Sequence, residues 1–443
     1  MKRYLFFLRH YNDIDNIAPA MYFLLEQKNE HMADVIIYSQ DYDFREDKNL
    51  KFLKESFGDR FNCRWLGSYF DLNTDKHFDS FKQKNQSIRY CFQKTKELIK
   101  NRLKFLLPFL FKIRKGIKGV SLSVDRISWG ESDAILINKI VKRILNEKQR
   151  PKLVCFDVNR TAPVKGLLDA LRHNGVKKII CLPVSPLINY NTLRQYDATE
   201  VRSKDFFDKH DYSGFDKIGF VDNYFVESFN KTFEFLSFPS TLKGKTYSLG
   251  SIRFCPKWLK IREEKLIKSL ADESKKINVV FFLSHPKSNV NKEELNSTIN
   301  LLRQFPEYRI LIKSHTRFNE TPDIKDKNIL YTDEDSSALI NWAEVILFWG
   351  SSIAIEGYIK KKTMVCLSYI CGNINLFKHY NAGYIANCRD DLHEFLEKYK
   401  QQGKDGINYD LKGIDNLLDN IVPGGDKVIK NYLQFIAKSE TDN

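Results

Sequence analysis

Short apolar runs alternate with amphipathic stretches along most of the chain. Arg3–Arg9, Asp34–Ser39, Lys152–Asp157 (KLVCFD), Lys178–Leu182 and the stretch near Lys217–Val221 are compact runs of the kind that form strands buried on both faces. Between them Ala18–Gln27, Glu131–Asn146 and Ala162–His173 carry helical spacing. The pattern restarts further on. Asn278–Leu283, Tyr308–Lys313, Asn328–Tyr331, Val345–Trp349 and Thr363–Leu367 read as strands, and Lys292–Gln304, Ser336–Ala343, Ile353–Lys360 and Asp390–Tyr399 as helices. Repeated βα units predict an α/β fold with parallel sheets covered on both faces.

The two series are separated by Ser237–Thr246, a turn-rich stretch without periodicity, which is the expected linker. The pattern therefore predicts two Rossmann-like domains facing across a cleft. The first spans 1–240 and the second 241–425, with 426–443 as a C-terminal helix or tail. Ligands of open α/β sheets bind beyond the carboxyl ends of the strands, so the cleft is the expected active site.

Composition narrows the class. With 443 residues, 42% hydrophobic and 29% charged, the chain is globular and long enough for two cores. It contains no run of roughly 18 uncharged apolar residues that would span a membrane. The opening YLFFL is too short for a signal peptide and fits a first buried strand. The eight cysteines form no CxxC pair, and Cys155, Cys181 and Cys366 sit inside strand-like runs, so a reduced, cytoplasmic protein is expected. Net charge is +15, which points to an anionic partner. Nine basic residues and one acid, Glu97, lie between Lys94 and Lys118, around the apolar run Leu103–Ile113. Such a segment suits an anionic inner-membrane surface, or else a packed helix with a solvated basic face. No zinc-finger, RRM or KH signature accompanies the charge, so nucleic acid is not expected as a partner.

Familiar catalytic motifs are absent. There is no GxGxxG after a strand, no HExxH and no GxSxG, and Gly244-Lys245-Thr246 lacks the upstream glycine of a P-loop, Pro239 standing in its place. The triplets Asp13-Ile-Asp15, Asp41-Tyr-Asp43 and Asp333-Glu-Asp335 are too common by chance to imply a metal, and no metal or cofactor is expected.

Three loops at predicted strand ends carry chemistry instead. In Val345-Ile-Leu-Phe-Trp-Gly350-Ser351-Ser352-Ile-Ala-Ile-Glu356 a buried strand turns at glycine into two serines that open a helix. Free amides and hydroxyls there suit phosphate, and Glu356 a ribose hydroxyl; the same residues also suit a plain helix cap. In Tyr308-Arg-Ile-Leu-Ile-Lys313-Ser-His315-Thr-Arg317, Lys313, His315 and Arg317 suit a pyrophosphate leaving group, with His315 giving a proton or only a hydrogen bond. In Phe281-Phe-Leu-Ser284-His285-Pro286, His285 faces the cleft or serves the turn.

Taken in order, Gly250-Ser-Ile-Arg253-Phe-Cys-Pro-Lys-Trp258, FFLSHP, Leu311–Arg317 and Phe348–Glu356 resemble bacterial surface-polysaccharide biosynthesis proteins, in the group around the CDP-glycerol glycerophosphotransferases and related capsule glycosyltransferases. The likeness covers mainly residues 245–400. It implies a GT-B fold with the nucleotide-linked donor held by the C-terminal domain. It also implies that His315 is the histidine of the family's Lys-x-His segment and that Ser351 and Ser352 are its phosphate-contacting serines. The glycerophosphotransferases carry a further His-Gly in the N-terminal half, acting as base. Cys181–Pro186 seats no histidine at the corresponding place, which favours a sugar-transferring relative. A base then comes from the loop after the first strand, where GT-B enzymes approach the acceptor. Asp13 and Asp15 are the candidates, with His10 competing and Asp157 as a weaker one, and the acids equally suit capping of a helix that begins near Pro19.

The expected function is metal-independent transfer of a sugar from a nucleotide-sugar donor to a glycan or lipid-linked acceptor, building capsule, lipopolysaccharide or a similar surface glycan. The alternatives are a CDP-polyol phosphotransferase and a non-catalytic scaffold at the membrane surface. The expected location is cytoplasmic, peripheral on the inner membrane face. If the Lys94–Lys118 segment docks there, the intact protein sediments with anionic vesicles, less so as salt rises. A Phe105→Ser/Phe109→Ser/Phe111→Ser variant then stays folded and stays in the supernatant. Salt-insensitive recovery of the unmodified protein in the supernatant contradicts docking.

Overall fold

The computed structural model describes residues 1–39, 42–70, 134–157, 164–183, 212–222, 244–270, 275–284, 290–315, 326–372 and 375–441. The basic segment 94–118, His285 and Arg317 lie outside them, as does most of the turn-rich stretch before residue 244.

In the first lobe, strands β1 (Lys2–Leu8), β2 (His31–Ile37), β3 (Phe61–Trp65), β4 (Leu153–Phe156), β5 (Ile179–Cys181), β6 (Lys217–Phe220) and β7 (Thr246–Ser248) form one parallel sheet. Its spatial order is β3-β2-β1-β4-β5-β6-β7. The helices are α1 (Tyr11–Gln27), α2 (Lys48–Phe57), α3 (Ala134–Asn146) and α4 (Lys165–His173). In the second lobe, β8 (Ile277–Phe282), β9 (Tyr308–Lys313), β10 (Ile329–Thr332), β11 (Val345–Phe348), β12 (Thr363–Leu367) and β13 (Tyr384–Ala386) form a second parallel sheet in the order β10-β9-β8-β11-β12-β13. Helix α5 (Pro256–Lys265) precedes this sheet. Helices α6 (Lys292–Leu302), α7 (Ser336–Trp342), α8 (Ala354–Ile359), α9 (Leu376–His379) and α10 (Arg389–Gln402) accompany its strands, and α11 (Leu411–Ile421) and α12 (Lys427–Thr441) end the chain. Each sheet reverses its strand order once, between β1 and β4 and between β8 and β11. Those switch points are where crevices open in such sheets.

Period-2 alternation divides each central strand between two cores. Tyr4, Phe6 and Leu8 of β1 face a core that also holds Val280 and Phe282 of β8, so the inner faces of both sheets share one apolar body. Leu5 and Phe7 face a separate core under α3 and α4, and Val279 and Phe281 face a third under α6 and α10.

The chain crosses between the lobes through Leu249–Lys265. At Gly250 the backbone is left-handed (φ +81°), and a Cβ would stand 2.7 Å from Pro423 and 2.8 Å from Val428, so only glycine fits. Just beyond, Trp258 is buried at 5.6 Å from the Tyr22 ring, 6.2 Å from Phe52 and 6.4 Å from Phe23. The crossing helix is thereby seated on α1 and α2. The C-terminal helix α12 returns to the first lobe: Tyr4 donates to Glu440 at 2.6 Å, and Tyr432 donates to the Gly250 carbonyl at 3.0 Å.

Two elements differ from the sequence expectation. Helix α1 starts at Tyr11, not near Pro19, because His10 and Asp13 close a reciprocal capping box and the helix absorbs Pro19 in its interior. Strand β7 belongs to the first sheet, so that sheet runs past residue 240 and the crossing follows it.

Replacing Trp258 with alanine removes the aromatic contact between the crossing helix and the first lobe. Urea unfolding should show a loss of about 3–5 kcal/mol, as for other buried tryptophans. An unchanged midpoint would show that the lobes are held elsewhere.

Candidate active site between the lobes

A cavity of about 460 Å³ lies between the lobes. Its size is that of a small-molecule site. From the second lobe come the carboxyl ends of four strands: Phe282 and Leu283 at β8, Lys313, Ser314 and His315 at β9, Asp333, Glu334 and Asp335 after β10, and Ser351 and Ser352 after β11. From the first lobe come Tyr11, Asn12 and Asp15 of α1 and Tyr42, Asp47, Lys48 and Asn49 around the start of α2. The crossing segment adds Arg253 and Arg262.

Of the residues singled out in the sequence, the fold gathers Asp15, Lys313, His315, Ser351 and Ser352 on this cavity. Lys313 stands 4.0 Å from Asp333. Burial lowers its pKa from the ordinary lysine value, and the carboxylates of Asp333, Asp335 and Glu334 work against that fall. Gly350 ends the β11 run at the edge of the same loop, half-buried. The paired serines do not cap α8, whose N-cap is Ile353 with no side-chain bond; Ser351 and Ser352 instead carry the tight turn that leads into it.

Glu356 lies behind the wall. Its carboxylate is fully buried, accepts from Ser337 Oγ at 2.8 Å, and pairs with Lys360 Nζ at 3.1 Å and with Arg262 at 3.7 Å.

Asp13 does not line the cavity either. It is wholly buried at the start of α1, accepting from the His10 amide at 3.2 Å and pairing with Arg9 at 3.3 Å. Beside it Asp157, at the end of β4, accepts from the Arg9 amide at 2.9 Å and the Tyr38 hydroxyl at 3.1 Å. Burial, and then the Asp13 carboxylate, push Asp157 well above the usual carboxylate range. These two acids form the inner support of the β1–β4 switch point. Asp15, two residues on, turns to the cavity. It is paired with Arg253 at 3.1 Å and accepts from Asn49 Nδ2 at 2.7 Å.

Sequence reasoning missed Asp47, Asn49 and Arg262, and quoted Arg253 without a role. Asp47 caps α2 through the Leu50 amide at 3.0 Å and accepts from Tyr42 at 2.5 Å, and burial raises its pKa. The one signal available was the Asp-Lys-Asn start of α2, an ordinary capping pattern. Among the described residues no group of three or more His, Cys, Asp or Glu is placed to hold a metal ion. No helix among them is long and apolar enough to cross a membrane.

No protein-family model matches the sequence, and no curated protein matches it. Solved structures match in fold. The chain is similar to UDP-GlcNAc 2-epimerase from Neisseria meningitidis bound to UDP-GlcNAc, with a TM-score of 0.54 and 13% identity over 100% of both chains. It is similar to Arabidopsis thaliana UGT89C1 complexed with UDP, with a TM-score of 0.52 and 10% identity over 99% of this chain and 100% of that one. It is also similar to the wall teichoic acid polymerase TagF, with a TM-score of 0.52 and 10% identity over 99% of this chain and 89% of the other. Two parallel α/β lobes joined by a crossing segment and opposed across a cavity make this a GT-B fold.

Proposed function

We propose that the chain is a GT-B glycosyltransferase that moves a sugar from a nucleotide-activated donor to a hydroxyl of a growing bacterial surface glycan. The observation that carries this reading is the interlobe cavity, where Lys313, His315, Ser351 and Ser352 face Asp15 of the opposite lobe. The cations and hydroxyls suit a diphosphate. The carboxylates around them suit the hydroxyls of a sugar.

In this mechanism the Asp15 carboxylate takes the proton of the acceptor hydroxyl, and Asn49 and Arg253 hold the carboxylate in place. The hydroxyl oxygen bonds to the anomeric carbon as the bond from that carbon to the donor's phosphate oxygen breaks. The electron pair leaves with the nucleoside diphosphate. Lys313, His315 and the two serines meet the charge that develops there. Asp13 and Asp157 support the loop that carries Asp15 and touch no substrate. The second lobe is the donor half and the first the acceptor half. The acceptor is a glycan or lipid-linked chain at the inner membrane face, a reading supported by the Lys94–Lys118 composition. The same fold serves UDP-GlcNAc 2-epimerases, so the assay must separate transfer from epimerisation of the donor.

Thermal shift against CMP, CDP, UDP, GDP and their sugars is the first test. Stabilisation by one nucleoside diphosphate and its sugars supports the reading. Response to CDP-polyols alone favours phosphotransfer, and response to none favours a scaffold.

With the donor known, His315→Ala and the Ser351→Ala/Ser352→Ala pair should each lower turnover roughly 100–1,000-fold without unfolding the protein. Turnover should persist in EDTA. Near-normal turnover in both variants, or activity abolished by EDTA and restored by Mg²⁺ or Mn²⁺, contradicts the mechanism.

A further inference from the structure

Arg262 sits on α5, in the segment that joins the lobes, one turn after the buried Trp258. Its side chain is nine-tenths buried and nonetheless lines the cavity. Its Nε has no hydrogen-bond partner, and its one ion contact among the described residues is Glu356, 3.7 Å from Nη1. Burial works against the charge, and the Glu356 carboxylate first, then the cavity carboxylates Asp15, Asp335 and Asp47, keep the guanidinium charged. None of the three cavity carboxylates pairs with it directly among the described residues.

A guanidinium presents five donors in a planar fork. A buried Nε–H without an acceptor is costly, and a ligand in the cavity that Arg262 lines can supply one. Two negatively charged oxygens of a phosphate match the fork in both geometry and charge. Of the neighbouring cations, Arg253, whose Nε is likewise buried without a partner, is paired with the cavity residue Asp15 at 3.1 Å, and the exposed Lys48 stands 3.6 Å from Asp335.

Glu356 accounts for the orientation of this fork. Lys360, at 3.1 Å, already offsets its charge, and Ser337 donates to it at 2.8 Å. Glu356 is thus shared between Lys360 and Arg262, and steers the guanidinium from behind the cavity wall.

We propose that Arg262 is the interlobe anchor for the phosphate groups of the ligand, and that Glu356, which touches no ligand, is the positioning residue that holds it. This rests on the nucleotide-donor reading of the same cavity and extends it: the crossing helix, and not the second lobe alone, grips the diphosphate. The ligand then ties the lobes together.

Titration calorimetry on the intact chain tests this with inorganic pyrophosphate, UDP, CDP and GDP as probes. The variants are Arg262→Gln, Arg262→Lys, Glu356→Gln and the Arg262→Gln/Glu356→Gln pair, each checked for folding by urea unfolding. Arg262→Gln should weaken pyrophosphate and the bound nucleotide about 10–100-fold. Arg262→Lys keeps the charge without the fork, should recover only part of the loss, and serves if the glutamine variant does not fold. Glu356→Gln should weaken binding in the unmodified background and add nothing in the Arg262→Gln background, because it acts through Arg262. A Glu356→Gln effect that persists in the double variant overturns the positioning role. Nucleotide binding undiminished in Arg262→Gln overturns the anchor and leaves the donor reading standing. Pyrophosphate binding through Arg262 with no nucleotide bound sinks the donor reading and keeps the anchor. Absence of any anion binding by the unmodified protein overturns both.

Discussion

Burial of the crossing segment's apolar side chains against both lobes is the constraint on which the rest of the structure depends. Ile252, Phe254, Cys255 and Trp258 belong to the same core as the inner faces of both sheets, so the lobes cannot separate without exposing them to water. With the segment seated this way, its two arginines are carried to the cavity, where Arg253 meets Asp15. The carboxyl ends of β8, β9 and β11 face the start of α1 as a result. A site made of two sheets thus inherits its geometry from packing at the crossing.

The cavity's charges are mixed, not uniformly basic, despite the chain's overall +15. Asp15, Asp47, Asp333, Glu334 and Asp335 stand among Lys48, Lys313, Arg253 and Arg262. A purely anionic ligand would satisfy only the second set. A ligand with hydroxyls at one part and phosphates at another satisfies both, since carboxylates accept from hydroxyls and guanidinium and ammonium groups donate to phosphate. The buried pair Asp13 and Asp157 belongs to a different layer. Its partners are Arg9, His10 and Tyr38, and its effect is to fix the β1–α1 turn from which Asp15 projects.

The sheets were largely legible because strands of a parallel sheet are buried on both faces and read as unbroken apolar runs; β1, β4, β8, β11 and β12 all stand out in this way. The edge strands β3, β7 and β13 did not, although the edge strand β10 did. β3 (FNCRW) alternates polar and apolar residues and has a half-exposed centre, and β7 is three residues long beside glycine and lysine. The start of α1 was hidden by the polar Tyr11–Asn16 turn and by Pro19, whose cost the surrounding packing absorbs. In the site, residues at the ends of obvious strands were found, as with Lys313, His315 and the paired serines. Arg262 was not, because α5 is charged on most sides and nothing local distinguishes its one buried arginine from its solvated neighbours. Glu356 was found for the wrong surroundings: its place one turn after the serines is visible in sequence, but the lysine, serine and arginine that enclose it arrive from α8, α7 and α5.

The central claim is that one ligand occupies the interlobe cavity and touches both the second lobe and the crossing helix. A diffraction structure of the protein soaked with the tightest-binding nucleoside diphosphate tests it most directly. The account predicts density for the two phosphates between Arg262 on one side and Lys313, His315, Ser351 and Ser352 on the other, with the glycosyl position opening toward Asp15. Density for the nucleotide outside this cavity, or inside it with the phosphates turned away from Arg262 and the paired serines, would contradict it.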